Sequence, residues 1–94
     1  MSDIAIKTAE YLVAKTLKRT PGYLGYQDGM VEKTKAKSQK CISDLLLTAR
    51  FDDFKAVLPF SQADPFWRGK ISTGEDLKKH YDTMLTQMLE AYND

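Results

Sequence analysis

Ser72-Thr73-Gly74-Glu75-Asp76-Leu77-Lys78-Lys79-His80-Tyr81-Asp82-Thr83-Met84-Leu85-Thr86-Gln87-Met88-Leu89-Glu90-Ala91-Tyr92 has the most regular pattern in the chain. At 100° per residue, Leu77, Tyr81, Met84, Leu85, Met88, Leu89 and Tyr92 fall on one face; Lys79, Thr83, Thr86 and Gln87 lie opposite. The spacing predicts an amphipathic helix from about Thr73 to Tyr92. Ser72-Thr73-Gly74-Glu75 reads as its capping box, the serine hydroxyl accepting from the Glu75 amide and the glutamate reaching back. Glu75 and Asp76 also suit the positive end of the helix dipole. A wide apolar stripe needs other helices to cover it, and no segment shows period-two alternation. The fold is therefore expected to be all-α.

Upstream, the same reasoning predicts three more helices. The first runs from Ser2 or Asp3, either of which can cap it, to about Thr20, where Pro21-Gly22 stops it. Ile6, Ala9, Val13 and Leu17 share its inner face with Ala5 and Leu12 beside them, while Lys7, Tyr11, Lys15 and Lys18 face outward. Residues 20–28 read as a loop, because Pro21, Gly22 and Gly25 oppose a regular element. Tyr23, Leu24 and Tyr26 within it call for partial burial. A second helix is expected from Gly29 to Arg50 with Asp28 as cap; Met30, Thr34, Cys41, Ile42, Leu45, Leu46 and Ala49 form its inner face. The third is short, capped by Asp52 or Asp53, apolar at Phe54, Val57 and Leu58, and interrupted by Pro59. Asp64-Pro65-Phe66-Trp67 reads as a turn delivering two aromatics inward. The expected architecture is a compact single domain, residues 1–94, with about four helices around one core.

Composition sets the bounds on function. Ninety-four residues with 43% hydrophobic and 29% charged side chains suit one globular domain. No run approaches the ~20 apolar residues of a membrane span, and Met1-Ser2-Asp3-Ile4 lacks the pattern of a signal peptide. Cys41 is the only cysteine, so a cytoplasmic setting without disulfides is expected. The net charge is +1, but its distribution is uneven. Residues 1–50 carry nine Lys/Arg against five Asp/Glu, a balance of +4; residues 51–94 carry five against eight, a balance of −3. The front half is the better candidate for contact with polyanions.

Catalysis finds no candidate. His80 and Cys41 sit on separate predicted helices, Cys41 on an apolar face where a buried structural thiol is the usual case. His80 is expected on the surface flank of the last helix. The acidic pairs Asp52-Asp53 and Glu75-Asp76 are explained by helix starts, and no cluster has metal-ligand spacing. No enzyme activity, metal or other cofactor is expected.

Binding features are better represented. Lys15, Lys18 and Arg19 precede Tyr23 and Tyr26, interleaving cations with aromatic faces as single-strand binders do; alternatively, the tyrosines fold back over the helix ends. Lys33, Lys37 and Lys40 form a stripe that could track phosphates, or a solvated face with Lys40 and Asp44 paired at i,i+4. Arg68, Lys70, Lys78 and Lys79 form a third cluster near Phe66-Trp67. At least one of those aromatics is expected in the core; an exposed Trp67 would instead be a partner-binding hot spot. The Met84/Met88/Tyr92 face either completes the core of a monomer or forms the seam of a homo-oligomer.

Ala63-Asp64-Pro65-Phe66-Trp67-Arg68-Gly69-Lys70-Ile71-Ser72, followed by Leu77-Lys78-Lys79-His80-Tyr81-Asp82 and Leu85, resembles a small helical C-terminal domain of phage, prophage and plasmid replication proteins. The upstream order is similar too: Ala9-Glu10-Tyr11-Leu12 opening a helix, a Pro-containing linker, and a helix leading to Phe54-Lys55-Ala56-Val57. The likeness spans about residues 8–89. It implies a primosome or helicase-loader type of component, a partner that is single-stranded DNA or a replicative helicase, and no catalytic residues. It points to Trp67, Arg68, Lys70, Lys78 and Lys79 as contact positions. Such domains usually follow a winged-helix module, which this chain lacks, so the expectation is an excised domain or a stand-alone relative. Pro59 and the Tyr23–Tyr26 loop depart from the pattern. The alternative is a phage- or mobile-element-encoded protein–protein adaptor that modulates a host protein without binding nucleic acid, through Tyr23, Tyr26 or Trp67.

Overall fold

The computed structural model describes residues 3–93, the last two without their side chains. Ser2, the alternative first cap, and the Tyr92 side chain lie outside that description. Four helices are present, α1 (Asp3–Arg19), α2 (Val31–Leu46), α3 (Phe51–Ala63) and α4 (Gly74–Asn93), and the described residues contain no strand. α2 packs along both α1 and α4, and α3 lies against α4. The Cα envelope measures 44 × 28 × 17 Å, a slab about two helices thick at the usual 8–10 Å between axes.

So thin a slab buries small side chains as readily as large ones. The inner stripe of α1 is Ala5, Thr8, Ala9, Leu12 and Thr16, whereas Ile6, Val13 and Leu17 are half-buried. The face is thus rotated from the one the large apolar residues suggested, because two threonines join it. Thr16 meets its polar requirement by donating to the Ser72 carbonyl at 3.2 Å. α2 buries Ser38 with Ile42 and Leu45, leaving Met30 exposed and Cys41 a partly exposed free thiol rather than a buried one.

The helix ends differ from expectation for identifiable reasons. Gly29 has φ +82°, which turns the chain before α2. Asp28 therefore does not cap it, and the N-cap is Met30 with no side-chain bond. α2 stops at Leu46, four residues short of Arg50. The Leu47 and Thr48 amides bond to Asp44 and Leu45, and the Thr48 hydroxyl also donates to Leu45, tightening the turn. Asp52 and Asp53 lie in the first turn of α3, whose cap is Arg50. Within residues 20–28, Leu24–Tyr26 forms one 3-10 turn, so the loop is more ordered than its glycines suggested.

α3 carries Pro59 in its interior and continues through it. Lys55, the residue whose carbonyl the proline ring leaves without a donor, is exposed, as are Ala56 and Pro59. The disruption falls on the solvated side of the helix.

The capping box exists, shifted by one residue. Thr73 Oγ1 accepts from the Asp76 amide at 3.2 Å. The Asp76 carboxylate accepts from the amides of Thr73 and Ser72. On α4, Leu77, Tyr81, Met84 and Met88 are buried, Leu85 packs partly against the core, and Leu89 is exposed. Met84 and Met88 are covered within the single chain. No described helix is long and apolar enough to cross a membrane.

A candidate cationic edge beside an exposed phenylalanine

The last turn of α1 and the turn after α3 meet at Gln62. Its side-chain carbonyl accepts from the Arg19 guanidinium at 3.1 Å, and its amide donates to the Ile71 carbonyl at 2.9 Å. Arg19 also bonds the Lys15 carbonyl through Nε at 3.4 Å. Arg19, which shares the last turns of α1 with Lys15 and Lys18, is thereby tied through Gln62 to Ile71, the residue that follows the 64–70 turn carrying Arg68 and Lys70. All five are exposed, and among the described residues none is in an ion pair.

The turn is built on Asp64, whose carboxylate accepts from the amides of Phe66 at 2.9 Å and Trp67 at 3.1 Å. That pins the two aromatics in opposite senses. Trp67 is 4% exposed, its indole N–H donates to the Gln87 side chain at 2.8 Å, and its ring lies 5.4 Å from that of His80. Phe66 is 58% exposed, so the turn delivers one aromatic inward rather than two. Lys70 Nζ sits 4.9 Å from the Phe66 ring centroid, a cation–π distance. The expected surface position of His80 is likewise corrected, since it is half-buried against Trp67.

Two other proposed contact aromatics are withdrawn from the surface. Tyr26 is buried, with its hydroxyl donating to the Ser72 carbonyl. Tyr23 is half-buried, its ring 5.1 Å from that of Tyr26. Burial, more than the neighbouring Tyr23 and Asp76, pushes the Tyr26 phenol up to about 12. A phenol raised above its unfolded value of about 10 leaves stability unchanged below pH 10. Stability is then lost as pH rises toward 12. Urea midpoints measured from pH 8 to pH 12 should show that decline, and Tyr26→Phe should flatten it. A decline of equal steepness in the variant would remove Tyr26 as its cause.

Two of the other proposed contact lysines are in ion pairs. Lys37 pairs with Glu75 at 2.9 Å, tying α2 to the first turn of α4. That hydrogen bond raises the lysine and lowers the glutamate. Lys78 reaches Asp44 at 3.5 Å, so Asp44 bonds across to α4 and not to Lys40. Lys33, Lys40 and Lys79 are exposed, and Lys33 and Lys37 line a shallow groove of about 240 Å³ with Ser38 and Thr73. The cluster of Arg68, Lys70, Lys78 and Lys79 therefore divides: Arg68 and Lys70 lie on the 64–70 turn, while Lys78 braces α4 against α2. Sequence reasoning missed Gln62, since nothing in its local pattern marks a residue that joins two basic segments.

Among the described residues, no group of three His, Cys, Asp or Glu could hold a metal ion. Comparison with protein-family models, curated proteins and solved structures found no match to this chain.

Proposed function

We propose that this chain is a cytoplasmic, non-enzymatic replication-associated domain that binds single-stranded DNA along the α1–turn edge, in the service of a replicative helicase. The observation that carries the reading is the tie through Gln62 between the basic end of α1 and the segment that follows Arg68 and Lys70, together with the exposed Phe66 ring against Lys70. Cations that track phosphates and an aromatic face on which a base can stack are the two components of sequence-tolerant single-strand binding. The likeness to replication-protein domains supports the same reading through Arg68 and Lys70.

The test is fluorescence anisotropy of a labelled single strand, with a duplex of equal length for comparison. Five phosphate contacts predict a log–log salt slope of about −3.5. Arg68→Ala with Lys70→Ala should take about 1.4 off that slope. Phe66→Ala should cost about 1–3 kcal/mol of binding, the worth of one stacked base. Absence of binding at low salt would sink the reading.

A protein–protein adaptor is the second reading, favoured by Leu47 and Phe51, which are 83% and 47% exposed. It predicts salt-tolerant binding to one protein and no affinity for either oligonucleotide.

A further inference from the structure

We propose that the groove between the end of α2, the start of α3 and the middle of α4 docks a basic segment of a partner protein. One arginine of that segment enters between Asp53 and Asp82 and donates to the Tyr81 hydroxyl. The groove has a volume of about 470 Å³, and Thr48, Arg50, Asp53, Tyr81, Asp82 and Leu85 are among its lining residues. It shares no residue with the cationic edge, and its three carboxylates outnumber the two cations of its lining, Arg50 and Lys78.

Three observations carry the proposal. Tyr81 is 4% exposed, yet its hydroxyl is buried without a hydrogen-bond partner. A buried polar atom in a native fold ordinarily has such a partner. Second, neither Asp53 nor Asp82 is in an ion pair among the described residues, while the third carboxylate of the groove, Asp44, is occupied by Lys78. Asp53 and Asp82 line the same groove as Tyr81, and burial first, then those two carboxylates, raises its phenol. Third, Leu47 and Phe51 are exposed on either side of the Thr48–Arg50 run that lines the groove.

The chemistry selects the occupant. A guanidinium offers five donors in a planar fork, enough to bond both carboxylates and the phenol oxygen together. An isolated small cation would leave Leu47 and Phe51 uncovered, whereas a peptide places aliphatic neighbours over them. The described residues lack a cluster that would favour a metal ion.

The experiment is an amide-resolved NMR titration of the whole chain with an acetylated, amidated Leu-Arg-Ala-Leu peptide. Its Leu-Glu-Ala-Leu counterpart and arginine amide serve as comparisons. The arginine peptide should shift the amides around Asp53, Tyr81 and Asp82, and the glutamate peptide should not. Asp53→Asn with Asp82→Asn should weaken binding about tenfold, as loss of charge-assisted bonds implies. Tyr81→Phe, which removes only an unpartnered hydroxyl, should keep the fold and lower the affinity. Equal shifts from arginine amide and peptide would overturn a protein partner in favour of a small cation. No shifts at millimolar peptide, or shifts indifferent to the aspartate substitutions, would overturn the site itself.

Discussion

Gly74→Ala will destabilise the domain by about 3 kcal/mol or more, although the same change in an open helix stabilises by about 1 kcal/mol. The reason is the approach of α4 to α2. A Cβ at Gly74 would lie 2.5 Å from the Ser38 carbonyl oxygen, 2.8 Å from its Cα and 2.9 Å from its carbonyl carbon. These are backbone atoms and cannot swing aside. The Gly74 amide also donates to the Ser38 hydroxyl at 2.9 Å in a buried bond, which separation of the helices would stretch. At about 4–8 °C per kcal/mol for a domain of this size, the melting temperature should fall by about 12 °C or more. Gly69→Ala is the control: nothing lies within 4 Å of the added methyl, so the change should stay within about 0.5 kcal/mol. A Gly74→Ala protein that melts with the parent would show that α4 does not seat on Ser38.

Trp67→Ala should cost about 3–5 kcal/mol, the range for truncating a large buried aromatic. Trp67 belongs to the core cluster formed with Phe54, Val57, Ile71, Leu77 and Met84. Its removal leaves the Gln87 carbonyl without its indole donor and the His80 ring without its tilted aromatic neighbour. Small domains have about 5–15 kcal/mol in total, so the variant should populate unfolded chains near 37 °C. Phe66→Ala, one residue away, should cost no more than about 1–2 kcal/mol, because that exposed ring loses only its edge contact with Trp67 and its contact with Lys70. Circular dichroism in urea separates the two, since Trp67 is the only tryptophan and its fluorescence disappears with it. Equal losses from the two substitutions would contradict the inward and outward assignment.

That adjacent pair also marks where sequence reasoning runs out. Apolar periodicity located all four helices, because Leu77, Tyr81, Met84 and Met88 are large and regularly spaced. It misjudged the α1 face because Thr8 and Thr16 read as polar, yet a threonine with a carbonyl to donate to is a small core residue. Ser38 and Ser61 were missed in the same way, both being buried. The capping box was recognised but placed one residue early, since serine and threonine caps with acids three residues on are chemically equivalent in that stretch. For the cationic edge, the residue types were visible and their convergence was not. Lys15 and Arg68 are fifty-three positions apart, and their segments are joined by tertiary bonds, those of Gln62 and that of Thr16 to the Ser72 carbonyl. Tyr81 was placed on the inner face of its helix, but an unpartnered hydroxyl is a tertiary property without a local signature.

The Ser72 carbonyl, which receives both the Thr16 and the Tyr26 hydroxyls, imposes an order on synthesis. These bonds span sequence separations of 56 and 46. The first quarter of the chain leaves the ribosome long before its acceptor does. α1 can form as a helix at once and pack along α2, but the bonds of Thr16 and Tyr26 cannot close until residue 72 has emerged. Chains stalled earlier would leave the Thr16 and Tyr26 hydroxyls without their acceptor, and the domain closes only when its last helix is nearly made.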